Sequence, residues 1–398
     1  MTIDEVKNVF HKYLFLPNDS IIDLLMGVVV ANQLDIDSVN LYIVGPSGSG
    51  KTELIRSLNR YSRVYPMGNM TANTFTSGYG GEKHKGKASL LLKLQGQGKR
   101  IVTIKEFTAV LNMRDESRRE ILSQIREIAD GEVNRNVGND VEIHWKGKLA
   151  FIAGVTGVID KHFGVTQELG ERFVYYRTTT DRELMPKYAL ANTGRVSEMR
   201  EALASTVATF LNQFDSLDLT PVPIREDVLH RIFLLSQFIA GSRSGISRDR
   251  FHHTLDYMIE IEVGTRLVQQ LQNVAIGVAL IQGKDAVDMD IYDRVITRIG
   301  RDSTHSIRRY LLHTMWHNNI HGDNWTYQSH LATICGKIPR TTIRTYLEDM
   351  VALGILEDRE GIGRLEYRIS DEWINLIHDC GVYENVILPT NENLEYYI

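Results

Sequence analysis

Gly45-Pro46-Ser47-Gly48-Ser49-Gly50-Lys51-Thr52 satisfies the pattern G-x-x-x-x-G-K-[ST] at every fixed position. The apolar run Leu41-Tyr42-Ile43-Val44 precedes it as a buried strand, and Glu53-Leu54-Ile55-Arg56-Ser57-Leu58 follows it with helical spacing. Strand, glycine-rich loop and helix in that order make a phosphate cradle. Gly45, Gly48 and Gly50 let the backbone fold tightly, so that its N–H groups converge on phosphate oxygens. The helix beginning near Lys51 adds its positive N-terminal end. Lys51 then reaches the β- and γ-phosphates and the Thr52 hydroxyl binds Mg²⁺, while Pro46, Ser47 and Ser49 complete the loop around the nucleotide. The stretch predicts binding of a nucleoside triphosphate, with ATP and Mg²⁺ as the expected pair.

A chain of 398 residues is too long for one ordinary core and predicts two or three domains. Its apolar share of 43% and charged share of 24% are those of a soluble globular protein. The net charge of −5 confines any nucleic-acid contact to local basic patches. With only Cys335 and Cys380, a disulfide framework and a four-cysteine metal site are both excluded. The opening MTIDEVKNVF has neither the basic nor the apolar region of a signal peptide. The longest apolar stretch, Ile21 to Ala31, contains Asp23 and is too short to span a bilayer. These features predict a cytoplasmic protein without a membrane partner.

The organisation follows from periodicity. Residues 1–38 read as helical, with Ile21, Ile22, Leu24, Leu25, Val28 and Val29 on a buried face. Over 39–180, strand-like and helical runs alternate, the pattern of a parallel α/β sheet. Over 181–320 the strand signals vanish, and Val228–Ala240, Phe251–Ile261 and Arg266–Ile281 carry helical spacing, predicting an all-helical lid domain. His321-Gly322-Asp323-Asn324 is a turn-rich break. Residues 321–387 then read helix, turn, helix, strand, glycine turn, strand, and 388–398 form a polar tail.

The companions of the phosphate loop narrow the class. Ile101-Val102-Thr103-Ile104 is a buried strand ending at Lys105-Glu106, where such ATPases place the acid that holds Mg²⁺ or polarises the attacking water. Glu106 is the candidate; Lys105 occupies the slot where an aspartate usually stands. The strand Leu149–Val155 ends at Thr156, a polar group suited to orienting the nucleophilic water. Next, Leu169-Gly170-Glu171-Arg172-Phe173 puts Arg172 where an arginine finger reaches a neighbour's γ-phosphate; a salt bridge with Glu168 or Glu171 is the plainer reading. Arg266 opens a helix and is a candidate sensor over the bound nucleotide.

These elements in this order resemble the AAA+ ATPases over residues from about 20 to 300. More narrowly, GPSGSGKTEL, TIKEFTAVL, QIREIADGE, LAFIAGVTGVID and LGERF look like ATPases carried by phages and other mobile elements. The resemblance implies a ring- or filament-forming homo-oligomer with shared sites. It gives Lys51 and Thr52 the Walker A roles, Glu106 the Walker B role, Thr156 that of sensor 1, Arg172 the finger and Arg266 sensor 2. It also implies a pore loop at Ser77–Lys87, where Tyr79 with Lys83, Lys85 and Lys87 would stack on bases and contact phosphates. Glu132 to Lys148 reads as a hairpin turning at Gly138-Asn139. Its location resembles the pre-sensor 1 hairpin of minichromosome-maintenance-type helicases, with Arg135, Lys146 and Lys148 as basic groups; a plain surface hairpin is the alternative.

Trp325 to Ser370 resembles a winged helix-turn-helix, with a first helix over Tyr327–Ile334, a recognition helix over Pro339–Leu353 and wing strands at Leu356 and Leu365–Ile369. Arg340, Thr341 and Arg344 would meet DNA, and Lys337, Arg359 and Arg364 its backbone. Six nearby acids leave the module close to neutral: Glu348, Asp349, Glu357, Asp358, Glu360 and Glu366. A protein partner therefore stays open beside DNA. The leading expectation is an ATPase acting on DNA as a helicase-type motor or remodeller of a mobile element. One rival is an ATP-dependent DNA-binding regulator of transposition, partition or transcription, which Lys105 favours. A defence-system NTPase recruiting a protein effector is the other.

Overall fold

A computed structural model describes residues 1–71, 74, 75, 89–137, 141–163, 172–246, 259–336 and 338–384. Lys83, Lys85 and Lys87, the Gly138-Asn139 turn, Leu169–Glu171, most of Phe251–Ile261, Lys337 and the tail lie outside the described residues. The rest packs as two compact units, Met1–Ile224 with Gln272–Ile291, and Arg225–Leu271 with Tyr292–Ile398.

In the first unit, α1 (Ile3–Tyr13) starts on a reciprocal cap: the Thr2 hydroxyl accepts from the Glu5 N–H at 3.3 Å, and the Glu5 carboxylate from the Thr2 N–H at 2.8 Å. Every residue of α2 (Ser20–Ala31) is buried, including the expected apolar face. The one acid in it, Asp23, is fully covered and pairs with Lys7 of α1 at 2.6 Å, as a buried charge must. Seven strands follow: β1 (Asn40–Val44), β2 (Val64–Met67), β3 (Ile101–Ile104), β4 (Glu132–Val137), β5 (Val141–Lys146), β6 (Ala150–Val155) and β7 (Phe173–Arg177). Five of them form a parallel sheet in the order β2-β3-β6-β1-β7. All residues of β1, β3, β6 and β7 are buried, which is why their sequences are mostly apolar along their length instead of alternating. Tyr42 of β1 stacks on Phe173 of β7 with ring centroids 3.8 Å apart.

This topology fixes where chemistry can occur. The chain leaves β1 for the far edge strand β2, while β6 and β7 flank β1. The loop after β1 therefore opens at a switch point, on the carboxyl edge where open α/β sheets bind ligands.

β4 and β5 pair with each other alone, in the register Val133 to Trp145 and Asn134 to His144. Val133, Ile143 and Trp145 are buried, while Asn134, His144 and Lys146 face solvent, the two-residue alternation of a sheet with one wet face. Lys148 corrects the expectation that it is a basic group of this hairpin. Its amine turns inward and donates to the carbonyls of Leu34 at 2.8 Å and Ile36 at 2.5 Å, just beyond α2. Burial pulls its pKa down to about 8.

In the second unit, the helix Glu226–Arg243 packs on Asp371–Cys380, with the Phe238 and Trp373 rings 5.5 Å apart. Arg243, 1% exposed, is forked onto Glu262 at 2.7 and 2.6 Å. Toward the C-terminus come β8 (Thr326–Tyr327), the helices Gln328–Ile334 and Arg340–Ala352, β9 (Leu356–Glu360) and β10 (Leu365–Ile369). The strands form an antiparallel sheet in the order β8-β10-β9. The second helix begins one residue later than expected, because Pro339 sits outside it with extended backbone (φ −55°, ψ 141°). The fold class is thus α/β: a P-loop parallel sheet, a helical region and a small C-terminal antiparallel sheet.

Candidate active site

Gly48 and Gly50 sit at φ +85° and +80°, in the left-handed region that only glycine enters without cost. Gly45 is required for a different reason: a Cβ there would lie 1.9 Å from Thr178 Oγ1 and 2.8 Å from Ser49 Oγ. Thr178, just after β7, donates its N–H to the Val44 carbonyl at 2.8 Å, and Gly45 donates to Val155 at 3.0 Å. Both strands flanking β1 thereby hold the start of the loop. Pro46, Ser47 and Gly48 form its exposed tip and Ser49 is buried.

Lys51 is 6% exposed. Its Nζ donates to the carbonyls of Gly45 at 2.6 Å and Pro46 at 2.7 Å, so the loop aims the cation along its own inner wall. Burial lowers the pKa of this amine, and the nearby charge of Glu106 works against that shift. The end of β3 and the phosphate loop thus share one electrostatic environment. Beyond Thr52, Glu53 receives a two-pronged ion pair from Arg200 at 2.9 and 2.7 Å. Arg200 brings a further cation to the first turn of this helix.

β3 and β6 deliver the remaining groups. Glu106 is exposed and Lys105 half-buried. The Phe107 N–H donates to the Gly154 carbonyl at 2.7 Å. A Cβ on Gly154 would stand 2.6 Å from the Lys105 carbonyl, so the two strand exits touch through backbone. Thr108 accepts the Thr156 N–H at 3.0 Å, lies 3.3 Å from the Thr156 hydroxyl, and donates its own N–H to Glu106 at 3.3 Å. Lys51, Thr52, Glu106 and Thr156 therefore gather on the carboxyl edge of one sheet. Mg²⁺ needs few protein ligands when phosphates and water supply the others. Thr52 and Glu106 are the oxygen donors that would hold it, and its chemistry there is to neutralise phosphate charge. Among the described residues, no cluster of three or more His, Cys, Asp or Glu is arranged for a metal, and no helix is long and apolar enough to cross a membrane.

Arg172 stands apart from this group. It precedes β7, a strand of five residues parallel to β1; at roughly 3.3 Å per residue, the length of the strand separates it from its own phosphate loop. Its guanidinium forks onto Asp130 at 2.8 and 3.0 Å, a partner sequence reading missed in favour of nearer glutamates. Arg177, at the other end of β7, makes a nearly buried two-pronged pair with Asp160 at 2.8 and 2.7 Å. That pair ties the turn after Thr156 to the sheet. Arg266 is exposed in the second unit at the start of the helix Thr265–Ile281.

Of the remaining cationic positions, Arg135 is half-buried and paired with Glu127 at 3.1 Å, and Lys146 is exposed. Arg340, Thr341 and Arg344 are all exposed on one helix. Arg340, Arg344 and Arg364 line a cleft of about 350 Å³ together with Tyr327, Gln328 and Tyr367. Arg359, expected to contact backbone, stacks over Trp325 at 4.3 Å and pairs with Glu366 at 2.6 Å.

Residues 41–161 match the family model described as ATPase family associated with various cellular activities (AAA). Over these residues the chain is an AAA ATPase domain: it binds ATP and is an NTP hydrolase. Proteins with such domains commonly oligomerise. No protein of curated function matches the chain.

Proposed function

We propose that this chain is an oligomeric AAA ATPase that acts on DNA as a helicase-type motor or remodeller. The observation that carries the DNA part is the arginine-lined cleft of the C-terminal module, whose helices and small antiparallel sheet support the winged helix-turn-helix reading. Among the described residues, Arg340 and Arg364 have no carboxylate partner and both line that cleft. The module's other described arginines are engaged: Arg344 with Glu348, Arg359 with Glu366, and Arg368 with Glu357. An arginine left without an internal anion is suited to an external one, and phosphodiester oxygens match its planar fork. The position of the β4–β5 hairpin, between the helix Asp115–Ala129 and β6, supports the motor reading. The location of Arg172, far from its own phosphate loop, supports a site shared between subunits, with Arg172 as the finger and Arg266 as sensor 2.

A second reading, the DNA-binding switch that uses ATP for assembly, is favoured by Lys105. A cation there leaves Glu106 as the acid at the exit of β3. ATP turnover measured with and without single- and double-stranded DNA separates the readings. The motor predicts DNA-stimulated turnover. In a salt titration, Arg340→Ala with Arg364→Ala should flatten the log–log slope for duplex by roughly 0.9 per lost phosphate contact. Turnover indifferent to DNA, together with an unchanged slope, contradicts DNA as the substrate.

A further inference from the structure

We infer that Thr108 is a positioning residue for ATP hydrolysis, holding Glu106 and Thr156 in one register; the inference rests on the reading of Glu106 as the acid facing the attacking water. The exits of β3 and β6 carry those two groups on neighbouring strands, whose ladder ends with Ile104 opposite Ala153. Beyond that ladder, four hydrogen bonds link the two groups. The Phe107 N–H bonds the Gly154 carbonyl at 2.7 Å, which sets the height of one exit against the other. The side-chain oxygen of Thr108 accepts the Thr156 N–H at 3.0 Å and stands 3.3 Å from the Thr156 hydroxyl. The Thr108 N–H, 3.3 Å from the Glu106 carboxylate, constrains that side chain from the other direction.

Thr108 thus touches both candidate groups, one through its hydroxyl and the other through its backbone. The contact has little room to adjust. Gly154 meets the Lys105 backbone with no space for a Cβ, so a shift at one exit is passed to the other. Thr156 is the N-cap of the turn Gly157–His162, its oxygen accepting the Val158 N–H at 3.5 Å while the Thr108 hydroxyl donates to the same oxygen at 3.3 Å. With Thr108 beside it, the Thr156 oxygen has a partner on the side of Glu106.

The consequence is specific to turnover. Among the described residues, the side chain of Thr108 hydrogen-bonds Thr156 and its N–H bonds Glu106, with neither bond made to the phosphate loop. Thr108→Val removes the hydroxyl while keeping the shape and the backbone N–H. It should lower kcat by roughly tenfold to a hundredfold, the scale of a misplaced catalytic group, with KM and ATP affinity unchanged. Thr108→Ser, which keeps the oxygen, should restore kcat. A merely structural hydroxyl would leave kcat of the folded fraction alone. If the valine variant does not fold, Thr108→Ala removes the same group with less bulk and carries the same expectation. Glu106→Gln is measured alongside. An inactive Glu106→Gln with a fully active Thr108→Val overturns the positioning role, whereas an active Glu106→Gln overturns the reading of Glu106 on which it rests.

Discussion

Two sets of arginines in this molecule are handled in opposite ways. In the AAA-bearing unit, Arg172, Arg177 and Arg200 each place two guanidinium nitrogens on one carboxylate, Asp130, Asp160 and Glu53 respectively. In the C-terminal module, Arg340 and Arg364 border a cleft with no carboxylate partner among the described residues. A two-pronged pair fixes both position and orientation, which suits an enzyme that must hold strand ends in register. An unpaired guanidinium keeps its capacity for something outside the chain. The contrast separates arginines engaged within the chain from arginines with no carboxylate partner among the described residues.

Lys51→Ala strikes the first region hardest. The substitution removes the cation lying along the wall of the phosphate loop, and ATP affinity measured by titration should fall below detection. An affinity close to that of the parent would remove Lys51 from the nucleotide site. Asp160→Ala comes next. It removes the carboxylate on which the nearly buried Arg177 is forked, so denaturant unfolding should show a loss of roughly 3–5 kcal/mol, the usual cost of breaking a buried pair from one side. A loss near zero would mean that the pair is solvated and does not anchor the turn after Thr156.

Arg172→Ala separates two roles in one residue, because this arginine has an internal partner, Asp130, and a proposed external role. The variant should bind ATP and lose turnover. Mixed with Lys51→Ala subunits, it should recover part of the activity, since some seams then pair an intact Lys51 with an intact Arg172. Full activity of Arg172→Ala alone would assign it to Asp130 and nothing else.

The smallest expected effect is at Lys148, whose pKa is held near 8 by burial against an ordinary value of 10.5. Between those values the unfolded chain binds the proton and the folded chain does not, so stability rises with pH across that window. Below about pH 8 the burial penalty is fully present. Thermal unfolding of Lys148→Met from pH 7 to 10.5 should therefore show a flatter profile than the parent.

How much was legible follows from distance along the chain. The phosphate loop and its flanking strand and helix are local, and its glycines have either a positive φ, at Gly48 and Gly50, or side-chain neighbours that leave no room for a Cβ, at Gly45. The parallel sheet was legible because strands covered on both faces advertise themselves as mostly apolar runs. The links that assemble the site were not. Thr108 and Thr156 are 48 residues apart, and Arg172 and Asp130 are 42 apart. Each reads alone as an ordinary polar residue beside a strand or helix end. Lys148 misled for the same reason: a lysine next to a basic hairpin looks solvated until the carbonyls of residues 34 and 36 fold against it.

Glu106, whose charge reaches Lys51 from the exit of β3, is proposed to drive hydrolysis despite Lys105 beside it. The most direct test is the steady-state ATPase rate of Glu106→Gln beside its ATP affinity. Unchanged affinity with turnover lowered roughly 10²- to 10⁴-fold, the range for loss of a general base, is the predicted result. Parental turnover with parental affinity would contradict it and move the catalytic group elsewhere.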